Sequence, residues 1–293
     1  MLYDIRLLID YDYARPAAEG RHLLRLFPTD LPGVQRVLST RLDIRPRPAE
    51  WTEFTDFFGN RVTQVAMPGG HDTVEFEALA QVERFARLPP ADHSPDLVGL
   101  DAEIRASRGL DAAQPHHFRG PSPRIAPVPD ITAYAATVTG TTRTTLSAVE
   151  ALGLALHADM AFDSDATTDD TPPAEAFASR TGVCQDFAQI MIAGLRGLGI
   201  PAGYVSGYLR TVPPPGKARL DGADAMHAWV TAWCGQAVGW VDYDPTNACF
   251  VTDQHITIAR GRAYGDVSPV AGILRIAGAQ TTRQAVDVIA FDG

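Results

Sequence analysis

The stretch GVCQDFAQIMIAGLRGLGIPAGYVSGYL, from Gly182 to Leu209, decides the fold of this chain. Gly182 closes the segment before it, and from Cys184 the apolar residues Phe187, Ile190, Met191, Ile192, Leu195 and Leu198 recur at helical spacing up to Gly199. The pattern predicts a helix with Cys184 in its first turn. Unpaired backbone N–H groups and the positive end of the helix dipole gather there, and such a placement lowers a cysteine pKa toward working pH. Cys184 is therefore the candidate nucleophile.

A nucleophilic thiol needs a base to take its proton and a third group to orient that base. DAMHAWVTAWC (Asp224 to Cys234) alternates His227, Trp229, Thr231 and Trp233 against Ala228, Val230 and Ala232, the period of a strand with His227 near its start. GQAVG (Gly235 to Gly239) reads as a turn and WVDYDP (Trp240 to Pro245) as the next strand of a hairpin. That places His227 and Asp244 on neighbouring strands, where cross-strand side chains stand roughly 5 Å apart and a carboxylate can fix the imidazole tautomer. Asp242, on the same strand face, is the competing carboxylate. A helix-borne Cys facing a strand-borne His–Asp pair is the geometry of papain-like acyl transfer. Cys234 and Cys249 read as small buried hydrophobes.

GVCQDFA around Cys184, MHAW around His227 and YDPTN from Tyr243 to Asn247 resemble the three signature blocks of the transglutaminase-like superfamily, in that family's order. The resemblance implies Cys184 as nucleophile, His227 as base and Asp244 as orienting acid, because the family places its acid immediately before the Pro-Thr pair. YDIRLLIDYDYARPAAEGRHLLRLFP (Tyr3 to Pro28) and DFFGNRV (Asp56 to Val62) resemble the β-sandwich domain that precedes the core in bacterial transglutaminase-like proteins. QHITIARGRAYGDVSPVAGI (Gln254 to Ile273) is similar to their usual tail, so the matching blocks leave out only roughly Ala86 to Thr144. The implied fold is α+β. An N-terminal antiparallel β-sandwich over residues 1–86 is followed by a linker and helical segment over 87–144. A papain-like transglutaminase core with a C-terminal tail then occupies 145–293, its Cys-bearing helix packed on the antiparallel sheet that bears His and Asp. The implied activity is hydrolysis of amide or peptide bonds by a cysteine protease or amidase. Transfer to an amine, as in a transglutaminase, is the second expectation, and a non-catalytic scaffold the third.

Gln185, Asp186 and Trp229 are candidate substrate contacts, although polar residues in a first helical turn more commonly serve the helix itself. TVPPPGKARLDGAD (Thr211 to Asp224), with Lys217, Arg219 and Asp221, reads as a recognition loop over the site. Strand-like runs such as Ile5 to Tyr13 and Val62 to Met67, separated by turn signals, agree with a sandwich. From Arg87 the prolines multiply and periodicity fades, as in a linker or a segment draped over another domain.

Composition bounds the rest. In 293 residues, 25 Lys and Arg stand against 35 Asp and Glu, and a net charge of −10 argues against nucleic acid or an anionic membrane as partner. The expected partner is a protein or peptide substrate. No cofactor or metal is expected: His116-His117 lacks ligands at metal spacing, and the aspartates of Asp163 to Pro173 lack the glycine and closing glutamate of a calcium loop. Three cysteines cannot all pair, the first residues carry Asp4 and Asp10 unlike a signal peptide, and no apolar run reaches the ~20 residues of a membrane span. A cytoplasmic location is expected.

Overall fold

The computed structural model describes residues 1–168, 170–211, 224–274 and 278–291. Six strands open the chain: β1 (Leu2–Ala17), β2 (Gly20–Leu24), β3 (Gln35–Arg45), β4 (Glu50–Thr55), β5 (Arg61–Met67) and β6 (His71–Arg84). Helices α1 (Leu97–Ala106), α2 (Pro129–Thr139) and α3 (Thr145–Asp159) come next. Then come β7 (Ala161–Phe162), α4 (Pro173–Ser179), β8 (Thr181–Gly182) and α5 (Cys184–Gly197). Strands β9 (Ala202–Leu209), β10 (Ala225–Trp233), β11 (Trp240–Asp244), β12 (Cys249–Phe250) and β13 (His255–Gly261) complete the core. The chain then runs through α6 (Tyr264–Val267), β14 (Val270–Leu274) and β15 (Gln280–Phe291).

The first strands build two four-stranded antiparallel sheets, ordered β15-β1-β6-β3 and β14-β2-β5-β4. In β1 the alternation buries Tyr3, Ile5, Leu7 and Ile9 and turns Asp4 and Arg6 outward, and His22 of β2 meets Phe76 of β6 edge-on at 5.9 Å between the sheets. The expected division leaves the C-terminal tail with the core. Instead, β15 pairs with β1 from Leu2↔Phe291 to Tyr13↔Gln280 and β14 pairs with β2, so the two ends of the chain share both sheets.

Segment 87–144 is draped over the core. Its Ser94-Pro95 stretch meets the start of α3, where Thr145 N–H donates to the Pro95 carbonyl and Leu146 N–H to Ser94 Oγ, giving that helix acceptors it would otherwise lack. Further on, Phe118 packs edge-on against Trp240 at 4.8 Å, and α2 lies against α5.

The core sheet is antiparallel, ordered β12-β11-β10-β9-β13, with α5 packed on β9 and β10. The periodicity predicted for α5 holds, and the helix is buried from Gln185 to Leu195 because α2, α3 and α4 cover the face turned away from the sheet. It stops before Gly199, whose φ of +85° only a glycine takes without strain. Strand β13 forms the sheet edge, yet its backbone is not left bare. Gln35 Nε2 donates to the Thr257 carbonyl (2.8 Å) while Gln35 Oε1 accepts from Thr257 N–H (2.9 Å). Asn60 repeats this with Arg260, Nδ2 to the carbonyl at 2.8 Å and N–H to Oδ1 at 2.7 Å. Two side-chain amides of the N-terminal sheets thus stand where a neighbouring strand would.

Candidate active site

Cys184 is the first residue of α5 and is partly exposed. Its position is fixed from both sides. Asp186 Oδ2 turns back to accept from Val183 N–H (2.9 Å) and from Thr167 Oγ1 (2.6 Å), satisfying the helix start. A Cβ at Gly182 would stand 2.6 Å from Asp186 Oδ2, so glycine there lets the cap close. Gly182 also pairs in parallel with Phe162, which is 60% exposed.

His227 is nearly buried on β10 and Asp244 fully buried at the end of β11. The pairing runs Trp233↔Trp240 to Val230↔Tyr243, which carried one step further sets Asp244 opposite Trp229 and leaves His227 diagonal to it. The ring reaches across that diagonal, with Nε2 2.7 Å from Asp244 Oδ2. Asp244 Oδ2 also accepts from Asn247 Nδ2 (2.7 Å), and Oδ1 accepts from the backbone N–H groups of Thr246 (2.9 Å) and Asn247 (3.1 Å). Pro245 starts this tight turn, so the string after Asp244 is what encloses the carboxylate.

Burial alone would lower the His227 pKa, but hydrogen bonds to Asp244 and Cys184 and the charges of both outweigh it and push it up to about 10. Burial opposes ionisation of Asp244 in turn, and the donors His227, His255 and Asn247 hold its carboxyl well below the usual range. With Nε2 of His227 committed to Asp244, Nδ1 is the nitrogen left for the thiol.

The residue that sequence reasoning missed is His255, at the start of β13. Its Nε2 lies 3.0 Å from the same Asp244 Oδ2, and Thr252 N–H approaches its Nδ1 at 3.3 Å. With Nδ1 accepting from Thr252 N–H, Nε2 is the nitrogen that donates to Asp244. Strands β10 and β9 stand between the two residues in the sheet order, and a glycine opens the way between them. His227, Gly207 and Thr257 form one cross-sheet row, and a Cβ at Gly207 would collide with the Trp229 ring. Through that gap Trp229 lies over β9 and meets His255 edge-on at 5.4 Å and His227 at 6.2 Å. His227, Asp244 and His255 present ligand-type atoms within 4.8 Å of one another, a grouping able to hold a metal, while Nδ1 of His255 is engaged by Thr252 N–H.

Of the substrate contacts expected from sequence, Trp229 is 0% exposed and stands edge-on to His255, Asp186 is 1% exposed and caps the helix, and Gln185 is buried as well. Asp242 is not a rival acid: burial would raise its pKa, but Arg260 at 2.5 and 2.8 Å lowers it and occupies both oxygens. Cys234 is buried, which together with the Asp92 charge pushes its thiol up to about 12, and burial with the Asp244 charge pushes Cys249 up to about 11. The expected recognition loop, with Lys217, Arg219 and Asp221, lies outside the described residues.

Residues 3–83 match the bacterial transglutaminase-like N-terminal region, and residues 132–245 match the transglutaminase-like superfamily. The protein Rv2569c of Mycobacterium tuberculosis is 35% identical over 271 residues, spanning 88% of this chain and 83% of its own. A protein-glutamine gamma-glutamyltransferase of Pseudomonas aeruginosa is 39% identical over 71 residues, 24% of this chain and 10% of that protein. The crystal structure of a candidate cysteine protease from Cytophaga hutchinsonii superposes with a TM-score of 0.77 at 21% identity, covering 100% of this chain and 91% of that one. The chain belongs to the transglutaminase-like superfamily.

Proposed function

We propose that the protein is a cysteine-dependent amide hydrolase in which Cys184, His227 and Asp244 act as nucleophile, base and orienting acid. The observation that carries this is His227, hydrogen-bonded through Nε2 to the buried Asp244 at 2.7 Å and pushed up in pKa by Asp244 and by Cys184, whose thiol is partly exposed at a helix start. His227 holds the proton taken from Cys184 while the sulfur attacks the amide carbonyl. The C–N bond then breaks as His227 delivers that proton to the leaving amine, and a thioester remains on Cys184. Water enters, His227 takes its proton, the C–S bond breaks and the carboxylic acid leaves. In this reading the backbone N–H of Cys184, in the turn of α5 that has no intrahelical acceptor, donates to the oxyanion. Support for hydrolysis is the full-length fold likeness to the Cytophaga hutchinsonii candidate protease.

An amine in place of water gives transamidation from the same thioester, and the Pseudomonas aeruginosa relative is the observation that favours it as the second reading. A protein or peptide substrate and a reducing, cytoplasmic site of action for the free thiols belong to the same proposal. The test is acylation by p-nitrophenyl acetate, monitored by intact mass and nitrophenol release. An acetyl group on Cys184 with a burst of nitrophenol supports the proposal, and acetate rather than an acetylated monodansylcadaverine as product selects hydrolysis. A protein that is never acylated at Cys184 overturns it.

A further inference from the structure

We infer that His255 is a positioning residue for this chemistry, holding the Asp244 carboxylate in the rotation that presents His227 to Cys184. The inference rests on the thioester mechanism proposed above. Asp244 Oδ2 is the meeting point of three donors, His227 Nε2 at 2.7 Å, His255 Nε2 at 3.0 Å and Asn247 Nδ2 at 2.7 Å. The carboxylate is fully buried, so the direction of each lone pair is set by protein donors alone.

His255 is built to be a fixed donor. Its side chain is buried, its Nδ1 accepts from Thr252 N–H and so leaves Nε2 to donate, and the Trp229 ring stands edge-on to it. Thr252 is itself anchored, its carbonyl accepting from Arg84 Nη2 at 2.9 Å, and β13 is clamped by Gln35 and Asn60. Arg84, Gln35 and Asn60 all come from the N-terminal sheets. Those sheets therefore brace the strand and the turn that carry His255, and through His255 they brace the acid that orients His227. A residue that merely filled space here could be any apolar side chain of similar size. A positioning residue needs its N–H.

That difference sets the test. His255→Leu keeps bulk without a donor, and His255→Gln keeps a donor. Steady-state hydrolysis of p-nitrophenyl acetate and iodoacetamide labelling of Cys184 are measured for both, for wild type and for His227→Ala, with melting curves to establish folding. A donor-free His255→Met replaces the leucine variant if that one does not fold. The expected result is a kcat for His255→Leu at least about tenfold below wild type at unchanged KM, the kinetic equivalent of losing one hydrogen bond to a charged group. His255→Gln should recover to within roughly threefold of wild type. Wild-type kcat in His255→Leu, or equal losses in the leucine and glutamine variants, overturns the role of His255 alone. Wild-type labelling no faster than His227→Ala overturns the proposed mechanism and the inference with it.

Discussion

Replacing Asp244 with Asn changes one atom and removes one charge, and the surroundings of the carboxylate set the cost. Asp244 accepts five hydrogen bonds, three at Oδ2 and two from backbone N–H groups at Oδ1. An amide NH2 turned toward Oδ1 faces the N–H groups of Thr246 and Asn247, which cannot rearrange. Turned toward Oδ2 it faces Asn247 Nδ2, His255, whose Nδ1 already accepts from Thr252 N–H, and His227, which can move its own proton to Nδ1. Either orientation strands one or two buried donors, at about 1–3 kcal/mol each, so a loss of roughly 2–4 kcal/mol is expected. At ~2 °C per kcal/mol for a chain of this size, Tm should fall roughly 4–8 °C. Reactivity suffers more, because His227 is left either in the wrong tautomer or without the charge that stabilises its imidazolium. The iodoacetamide labelling rate of Cys184 at pH 7 should drop about 10²–10⁴-fold. Melting curves and intact mass measure the two effects on one sample. Labelling at the wild-type rate in a folded Asp244→Asn protein would refute the orienting role.

The pH dependence of stability comes from two opposite shifts. His227 is raised to about 10, so its contribution is complete below the unfolded value of ~6.5 and is lost as pH rises through about 10. Asp244 is lowered, so its contribution is present above the unfolded value of ~3.9 and is lost as pH falls. The Tm gap between wild type and His227→Ala should accordingly be widest between about pH 4 and 6.5 and narrow above pH 10, and a gap that widens with alkali would contradict the assignment. Gly207→Ala drives a methyl into the Trp229 ring and the Ile256 carbonyl, and overpacking of about 1–3 kcal/mol with slowed Cys184 labelling is expected; a wild-type melting curve would refute the packing argument. Treatment with EDTA should leave Cys184 labelling unchanged, whereas loss restored by zinc would make His227, Asp244 and His255 a metal site.

The features legible in the sequence were local ones. The α5 period and the glycine before Cys184 announced the helix mouth, because a 3.6-residue repeat and a stop signal are written in contiguous residues. The β10–β11 hairpin was visible for the same reason, although its register put His227 diagonal to Asp244 rather than opposite. His255 was hidden because its partner lies three strands away in the sheet, and the feature that lets them meet is the absence of a side chain at Gly207. Trp229 alternated correctly on its strand, but period 2 tells which face a residue takes and not whether that face is open to substrate. The alternation of β15 could be read as a strand, yet nothing in it names β1, some 280 residues earlier, as its neighbour. Asn60 is only one residue of the DFFGNRV block in the sequence, while its amide spans the seam to Arg260.

The measurement that bears most directly on the central claim is the rate of iodoacetamide labelling of Cys184 at pH 7 in wild type and in His227→Ala. Cys234 and Cys249, whose thiols are pushed up to about 12 and about 11, serve as controls within the same molecule. Selective labelling of Cys184, at least about 100-fold faster than either control and lost in His227→Ala, is the predicted result. Equal, slow labelling of Cys184 in both proteins would contradict it and leave a transglutaminase-like fold without an activated cysteine.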